Sequence, residues 1–414
     1  MEKTYIIIFM VIIIANFIVD KVLDFLNNRN RPTEVPAELK DFYDQEKYTK
    51  SLAYKKEHGR VSDIGSWISF IAILAFLITG IFGQINTWLQ GFGLEGIPLS
   101  LAYFGLLFVA SDILGMPFSL YSTFVIEEKY GFNKTTPKTY IIDKLKGYLM
   151  GAILGGGIMY LLLWLIDSIG PNFWIYAWLL MVAVMLFMNF FYTTLFVPIF
   201  NKLKPLEEGD LRTEIENLSA KLNFPLRKIM VMDASKRSTK SNAFFSGFGK
   251  LKSIVLFDTL IDQHSNDELS GVLAHEIGHY KKKHIISNMV TAIVSTGLML
   301  FVLSWFMFNE ELSLALGANE LYFHLNLIAF GILYEPINTI TGLIGNVLSR
   351  KHEYEADEYA VKHTNPEAFK NALKTLSTEN LSDLMPHPAY VFVHYSHPTV
   401  LQRIKFIDSL RSES

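Results

Sequence analysis

Two imidazoles four residues apart, with a carboxylate beside the first, occupy His275-Glu276-Ile277-Gly278-His279 of this 414-residue sequence. On a helix, positions i and i+4 share a face, so both rings can reach one cation while Glu276 stands beside the position they leave open. That combination suits metal-assisted hydrolysis of a peptide bond, with Glu276 as the proton acceptor. The chain has 11 histidines and no cysteine. Any metal must therefore be held by His, Asp or Glu, and thiolate sites, disulfides and cysteine nucleophiles drop out.

A catalytic zinc centre commonly takes three protein ligands and one water, so His275 and His279 need a partner. A third histidine in the pattern His-x-x-Gly-x-x-His would require glycine at 282 and histidine at 285, where the sequence has Lys282 and Ile285. His284 falls five residues after His279, about 140° round a continuous helix, and reads as a surface or supporting residue. A carboxylate from a second helix is the other common solution, and the run His352 to Glu358 offers one. Glu353 and Asp357 share a helix face while Glu355 and Glu358 point elsewhere, so a ligand with its support at 353 and 357 is economical. A merely solvated helix face explains the same charge run equally well.

The elements that must position these residues are largely apolar. Half of the chain is hydrophobic, the net charge is -3, and no basic face or aromatic-basic stripe is present, which excludes a nucleic-acid partner. Apolar stretches of about 20 residues, the length that crosses a bilayer, occur at 4–24, 65–90, 99–121, 147–168, 173–199, 288–308 and 322–347. The first is expected to be an uncleaved membrane helix rather than a signal peptide. Of 37 Lys and Arg, nine lie between Lys21 and Arg60, five between Lys129 and Lys146, fourteen between Lys202 and Lys283, and eight from Arg350 onward. The three alternate loops carry none. The positive-inside rule then expects the N-terminus outside or luminal, the C-terminus inside, and the His275 helix on the cytoplasmic side of a bacterial inner membrane or an ER membrane.

The long loop between Lys202 and Lys283 has the patterning of a folded unit. Leu211, Ile215, Leu218 and Leu222 recur at helical spacing. Lys228 to Met232, Ala243 to Phe248 and Ser253 to Phe257 are short apolar runs, and Gly247, Gly249 and Lys250-Leu251-Lys252 read as the turn of a small hairpin sheet. An exposed edge strand there could receive an extended peptide, or the hairpin could simply pack on the metal helix. Ser265 with Glu268 predicts a capping box, and the helix it starts is expected to continue into the sixth span. Another helix should emerge from the seventh span through Asn346 to Glu358, followed by helices at about 366–379 and 399–411. Asp112, Asn189, Glu335 and Asn338 lie within apolar stretches and fit either an aqueous interior or helix pairing. Gly155, Gly156 and Gly157 suggest close helix approach. The expected division is a membrane region at 1–204 and a hydrolytic domain at 205–414 that includes the last two spans.

Leu273-Ala274-His275-Glu276-Ile277-Gly278-His279, followed by Ser349-Arg350-x-x-Glu353-x-x-Ala356-Asp357, resembles the type I CAAX prenyl protease family of integral-membrane zinc metalloproteases. The resemblance covers nearly the whole chain. Pro117 to Tyr121 with Ile126 to Asn133 is similar to that family's N-terminal membrane region, and Lys236-Arg237-Ser238 with Ser241-Asn242-Ala243-Phe244 to its substrate strand. It implies a mainly α, polytopic protein whose seven transmembrane helices enclose a chamber, joined to a gluzincin-like helical domain with the small hairpin sheet.

The resemblance also implies roles. His275, His279 and Glu353 would hold one Zn²⁺, and Glu276 would be the general base that returns its proton to the leaving amine. Tyr395-Ser396-His397-Pro398 and Arg403 resemble a family motif in which the histidine faces the reaction centre and the arginine pairs with the aspartate, here Asp357. His397 would donate a hydrogen bond to the tetrahedral oxyanion, and substrate would lie extended along Asn242 and Ala243. The implied substrate is a prenylated C-terminal peptide that loses its last three residues. Competing expectations are a membrane quality-control protease with no prenyl requirement, and a transporter or scaffold with a structural zinc. The unused Glu276 counts against the last, since structural sites are closed and need no base.

Overall fold

A computed structural model describes residues 2–29, 31–35, 37, 40, 43–246 and 252–412. The first half is a set of helices: α1 (Glu2–Arg29), α2 (Gln45–Thr79), α3 (Ile81–Gln90), α4 (Gly96–Tyr121), α5 (Pro137–Met150), α6 (Gly156–Ile169), α7 (Phe173–Phe191) and α8 (Val197–Phe200). Large apolar side chains such as Val11 and Ile18 on α1 and Ile113 and Leu114 on α4 are exposed. A surface of this kind belongs in a bilayer, where the helix satisfies its own backbone polar groups.

Among the described residues, six helical stretches are long and apolar enough to cross a membrane: Glu2–Arg29, Gln45–Thr79, Gly96–Glu127, Pro137–Phe200, His284–Phe306 and Phe323–His363. The expected seven spans map onto these six because 147–168 and 173–199 both lie within Pro137–Phe200. That stretch is interrupted at the 3₁₀ turn Gly170–Asn172, where Gly170 has φ +69° and Pro171 follows. The expected close approach at Gly155 to Gly157 is not made, since a Cβ at any of the three would meet nothing within 4 Å. The backbone there instead follows a π-helical turn, Gly151–Gly155. A close glycine contact occurs elsewhere: a Cβ on Gly83 would lie 2.0 Å from the carbonyl oxygen of Gly317.

The second half contains β1 (Leu203–Pro205), α9 (Asp210–Lys221), β2 (Leu226–Met232), β3 (Ala243–Ser246), β4 (Lys252–Phe257), α10 (Asp258–Gln263), α11 (Asn266–Lys281), α12 (His284–Phe306), α13 (Glu310–Ala315), α14 (Phe323–His363), α15 (Pro366–Glu379), α16 (Pro388–His394) and α17 (Val400–Ser412). The sheet is larger than a hairpin. Its order is β1-β2-β4-β3. β3 and β4 form the expected antiparallel pair, with Ala243 opposite Leu256, but β2 runs parallel to β4 and β1 adds an antiparallel edge. The turn expected at Gly247 to Leu251 lies outside the described residues.

One apolar core ties this half together. Ile215 and Leu218 of α9, Ile254 and Leu256 of β4, Leu273 and Ile277 of α11, Ala360 of α14, Phe369 and Leu373 of α15 and Ile407 of α17 are all buried in it. α14 carries the chain from the apolar segment into the charged one without a break, as expected from the absence of Gly and Pro after Asn346. By contrast, the expected continuation of α11 into the sixth span does not occur. Lys283 adopts the left-handed conformation, φ 61°, and α12 starts on a new axis. The C-terminal helices appear at Pro366–Glu379 and Val400–Ser412, with the short α16 between them, started by Pro388 at its first turn.

Candidate active site

α11 begins in a capping box: the Ser265 hydroxyl accepts from the Glu268 backbone N–H, and the Glu268 carboxylate accepts from that of Ser265 at 2.9 Å. Gly278, inside the His-Glu motif, lets α11 press onto α14. A Cβ there would meet Ala356 Cα at 3.1 Å and Tyr359 Cβ at 3.0 Å. This close approach brings the charged end of α14 against the two histidines.

Three donor atoms converge. His275 Nε2 lies 3.2 Å from His279 Nε2 and 3.5 Å from Glu353 Oε2, and His279 Nε2 lies 3.3 Å from Glu353 Oε1. A tetrahedral ion with bonds of 2.0–2.1 Å separates its ligand atoms by about 3.3 Å. The spacing and the nitrogen-oxygen chemistry therefore fit a small divalent cation. Glu353 is buried, which removes the solvated-face explanation for this carboxylate, and its partner His275 is buried as well.

Asp357 sits behind His275. Its Oδ1 is 2.9 Å from His275 Nδ1, and Arg403 grips both of its oxygens, with Nε to Oδ2 at 2.9 Å. For His275 to offer Nε2 to a cation, its proton must sit on Nδ1 and be donated to Asp357. The neighbouring Arg403 Nη2, 3.2 Å from the same nitrogen, is then a close contact and not a hydrogen-bond donor to it. Arg403 Nη1 also lies 3.6 Å from Glu353 Oε2. Asp357 is fully buried, so this ion pair is shielded from solvent.

His397 reaches the site from the loop after α16, its Nε2 3.4 Å from Glu353 Oε1 and its side chain largely exposed. Sequence inspection gave no account of what holds that loop. In the structure Arg350 donates to the carbonyls of Val391 and Tyr395, and Asn346 donates to that of Val393 at 2.7 Å, so one face of α14 fastens α16 in place.

A cavity of about 360 Å³ opens on the cluster. His275, Glu276, His279, Glu353, His397 and Arg403 line it, together with Asn242 and Ala243 from the start of the edge strand β3. Burial pushes the Glu276 carboxyl above the usual glutamate range, against the opposing pull of His275 and His279. A carboxylate raised this way is a better proton acceptor near neutral pH. A second group lies behind His279, where the sequence left His284 as either a surface or a supporting residue. His284 is buried there, and Glu355, expected to point elsewhere, pairs with it at 2.9 Å. The sequence did not link His284 to His279 or to Glu355.

Membrane-crossing helices joined to a His-His-Glu centre with an adjacent carboxylate define an integral-membrane metallopeptidase. Residues 25–202 match the family description CAAX prenyl protease N-terminal, five membrane helices, and residues 205–411 match peptidase family M48. The chain belongs to peptidase family M48 and is a membrane metalloprotease. It is 35% identical to the CAAX prenyl protease 1 homolog of Arabidopsis thaliana over 405 residues, covering 95% of each chain. It is 33% identical to CAAX prenyl protease 1 of Saccharomyces cerevisiae, covering 91% of this chain and 89% of the relative. The crystal structure of S. mikatae Ste24p superposes with a TM-score of 0.92 at 32% identity, over 98% of this chain and 99% of that one.

Proposed function

We propose that this protein is a zinc endopeptidase acting on prenylated CAAX proteins, as the names of its relatives suggest, and that it removes their C-terminal tripeptide, as the resemblance to its family implies. The observation that carries the reading is the trio of ligand atoms 3.2 to 3.5 Å apart, opening on the cavity that Glu276 lines. His275, His279 and Glu353 hold the ion in this reading. A bound Zn²⁺ supplies Lewis-acid polarisation of the scissile carbonyl and acidifies water. Glu276 takes the proton from the attacking water and passes it to the leaving amine. His397, reaching in from the exposed side, donates a hydrogen bond to the tetrahedral oxyanion. Asp357 and Arg403 orient His275 and steady Glu353. The substrate lies extended along Asn242 and Ala243, adding a strand to the free edge of β3.

The membrane helices serve as walls in this proposal, enclosing a wet chamber above the site. Asp112 of α4 pairs with Lys144 of α5, and both remain partly exposed, which suits a wet interior, since charges at bilayer depth need water or a partner. The chain divides at 204/205 into this membrane region and the hydrolytic domain. The charge of the basic loops supports an N-terminus outside or luminal and a site toward the cytoplasm.

The test uses purified protein with a farnesylated C-terminal peptide and its unfarnesylated twin. One equivalent of zinc and cleavage three residues from the end are expected. Glu276→Gln should keep zinc and fold yet lose at least about 100-fold in rate, the usual worth of a general base. A variant retaining a tenth of the wild-type rate refutes the role of Glu276, and equal rates on the two peptides refute the prenyl requirement in favour of a quality-control protease.

A further inference from the structure

We infer that His284 and Glu355 form a second support for the metal centre, acting on His279 as Asp357 acts on His275. The inference rests on the reading of His279 as a ligand through Nε2. His279 Nδ1 lies 3.0 Å from His284 Nδ1, and His284 Nε2 lies 2.9 Å from Glu355 Oε2. His284 is buried, and the ring of His352 stacks on it at 4.0 Å between centroids and 11° between planes. That stack fixes the imidazole plane.

Protons can satisfy this chain in only one pattern. A cation on His279 Nε2 forces the ring proton onto Nδ1, which then needs an acceptor. His284 Nδ1 supplies the lone pair, so the proton of His284 must sit on Nε2 and be donated to the Glu355 carboxylate. A doubly protonated His284 would face one N–H with another, so the relay requires the neutral ring. Each ligand histidine is thus oriented by a carboxylate, His275 directly and His279 through one intervening imidazole. These are positioning residues: neither His284 nor Glu355 lines the cavity that the substrate enters.

The backbone shows why the arrangement is possible. On an unbroken helix His284 would lie about 140° round from His279, too far for their rings to meet. Lys283, at φ 61° and ψ 27°, turns the chain through the left-handed region, which residues other than glycine adopt uncommonly. That single residue ends α11 and swings His284 back to His279. Asn223 after α9 and Leu381 after α15 end their helices in the same left-handed region, so the turn is a helix terminator used here to set His284 beside His279.

The experiment measures zinc affinity of the full chain in lipid-detergent micelles by competition with a chelator, and the unfolding temperature with and without metal. Wild type, His284→Ala, Glu355→Ala and Glu355→Gln are compared. Loss of an outer support typically weakens metal binding about 10- to 100-fold, and that loss is expected for His284→Ala and Glu355→Ala. Glu355→Gln keeps an acceptor oxygen and should recover most of the affinity. The metal-free unfolding temperature should stay close to wild type in the glutamate variants, whose side chain is partly exposed. Wild-type affinity in both alanine variants, or an equal drop in unfolding temperature with and without metal, overturns the inference. If His284→Ala does not fold, the Glu355 pair decides alone. Should wild type itself bind no zinc, the reading of the ligands fails instead, which separates the two claims.

Discussion

Removing the Asp357 carboxylate should separate two jobs that one side chain performs. In Asp357→Ala, His275 Nδ1–H loses its acceptor at 2.9 Å and the Arg403 guanidinium loses its two-oxygen partner. Asp357 has no solvent exposure and Arg403 has 12%. An orphaned charge at such a site costs about 3–5 kcal/mol of stability. Part of this is offset if Arg403 turns to Glu353, whose Oε2 is already 3.6 Å away. In the proposed site, that turn would draw Glu353 away from the ion. Metal affinity should fall about 10- to 100-fold, or about 1.4–2.7 kcal/mol. The double variant Asp357→Ala/Arg403→Met removes both buried charges, so it should recover most of the stability but little of the zinc affinity. Unfolding of the metal-free variants and chelator competition measure the two quantities. Additive destabilisation in the double variant, or zinc affinity of Asp357→Ala within twofold of wild type, would refute the reasoning.

Other outcomes follow from neighbouring contacts. Gly278→Ala drives a methyl to 3.1 Å from Ala356 Cα, so it should lower stability by about 1–3 kcal/mol through overpacking, read from the unfolding midpoint. Arg350→Gln frees the carbonyls of Val391 and Tyr395; kcat should drop as His397 loses its seat, while zinc affinity stays unchanged. Lys252, 4% exposed, has its pKa lowered by burial from 10.5 to about 8. Between pH 8 and 10.5 the unfolded chain therefore still holds this proton while the folded one has released it, so stability should rise as pH increases across that range. Lys252→Met should stabilise the protein by about 1–3 kcal/mol at neutral pH, after allowing for the lost cation–π contact with Tyr280. That gain should vanish above pH 10.5, as thermal unfolding across pH would show.

What could be read from the sequence was whatever depends on near neighbours. The pairing of His275 with His279 needs only the helical repeat, the start of α11 needs only Ser265 and Glu268, and the membrane stretches need only apolar length. Even α14 was legible past Asn346, because nothing in its run breaks a helix. Glu353 stood out as one of several carboxylates, and spacing alone did not separate a ligand from a solvated face; the resemblance to a family did that. Tertiary structure decided the rest. The meeting of Glu353 with the two histidines depends on how closely Gly278 lets two helices pack, a distance no local pattern carries. The parallel pairing of β2 with β4 joins segments separated by another strand, so short-range alternation suggested only a hairpin. His284 is the sharpest case: helical geometry sends it away from His279, and one left-handed lysine that ends α11 brings it back.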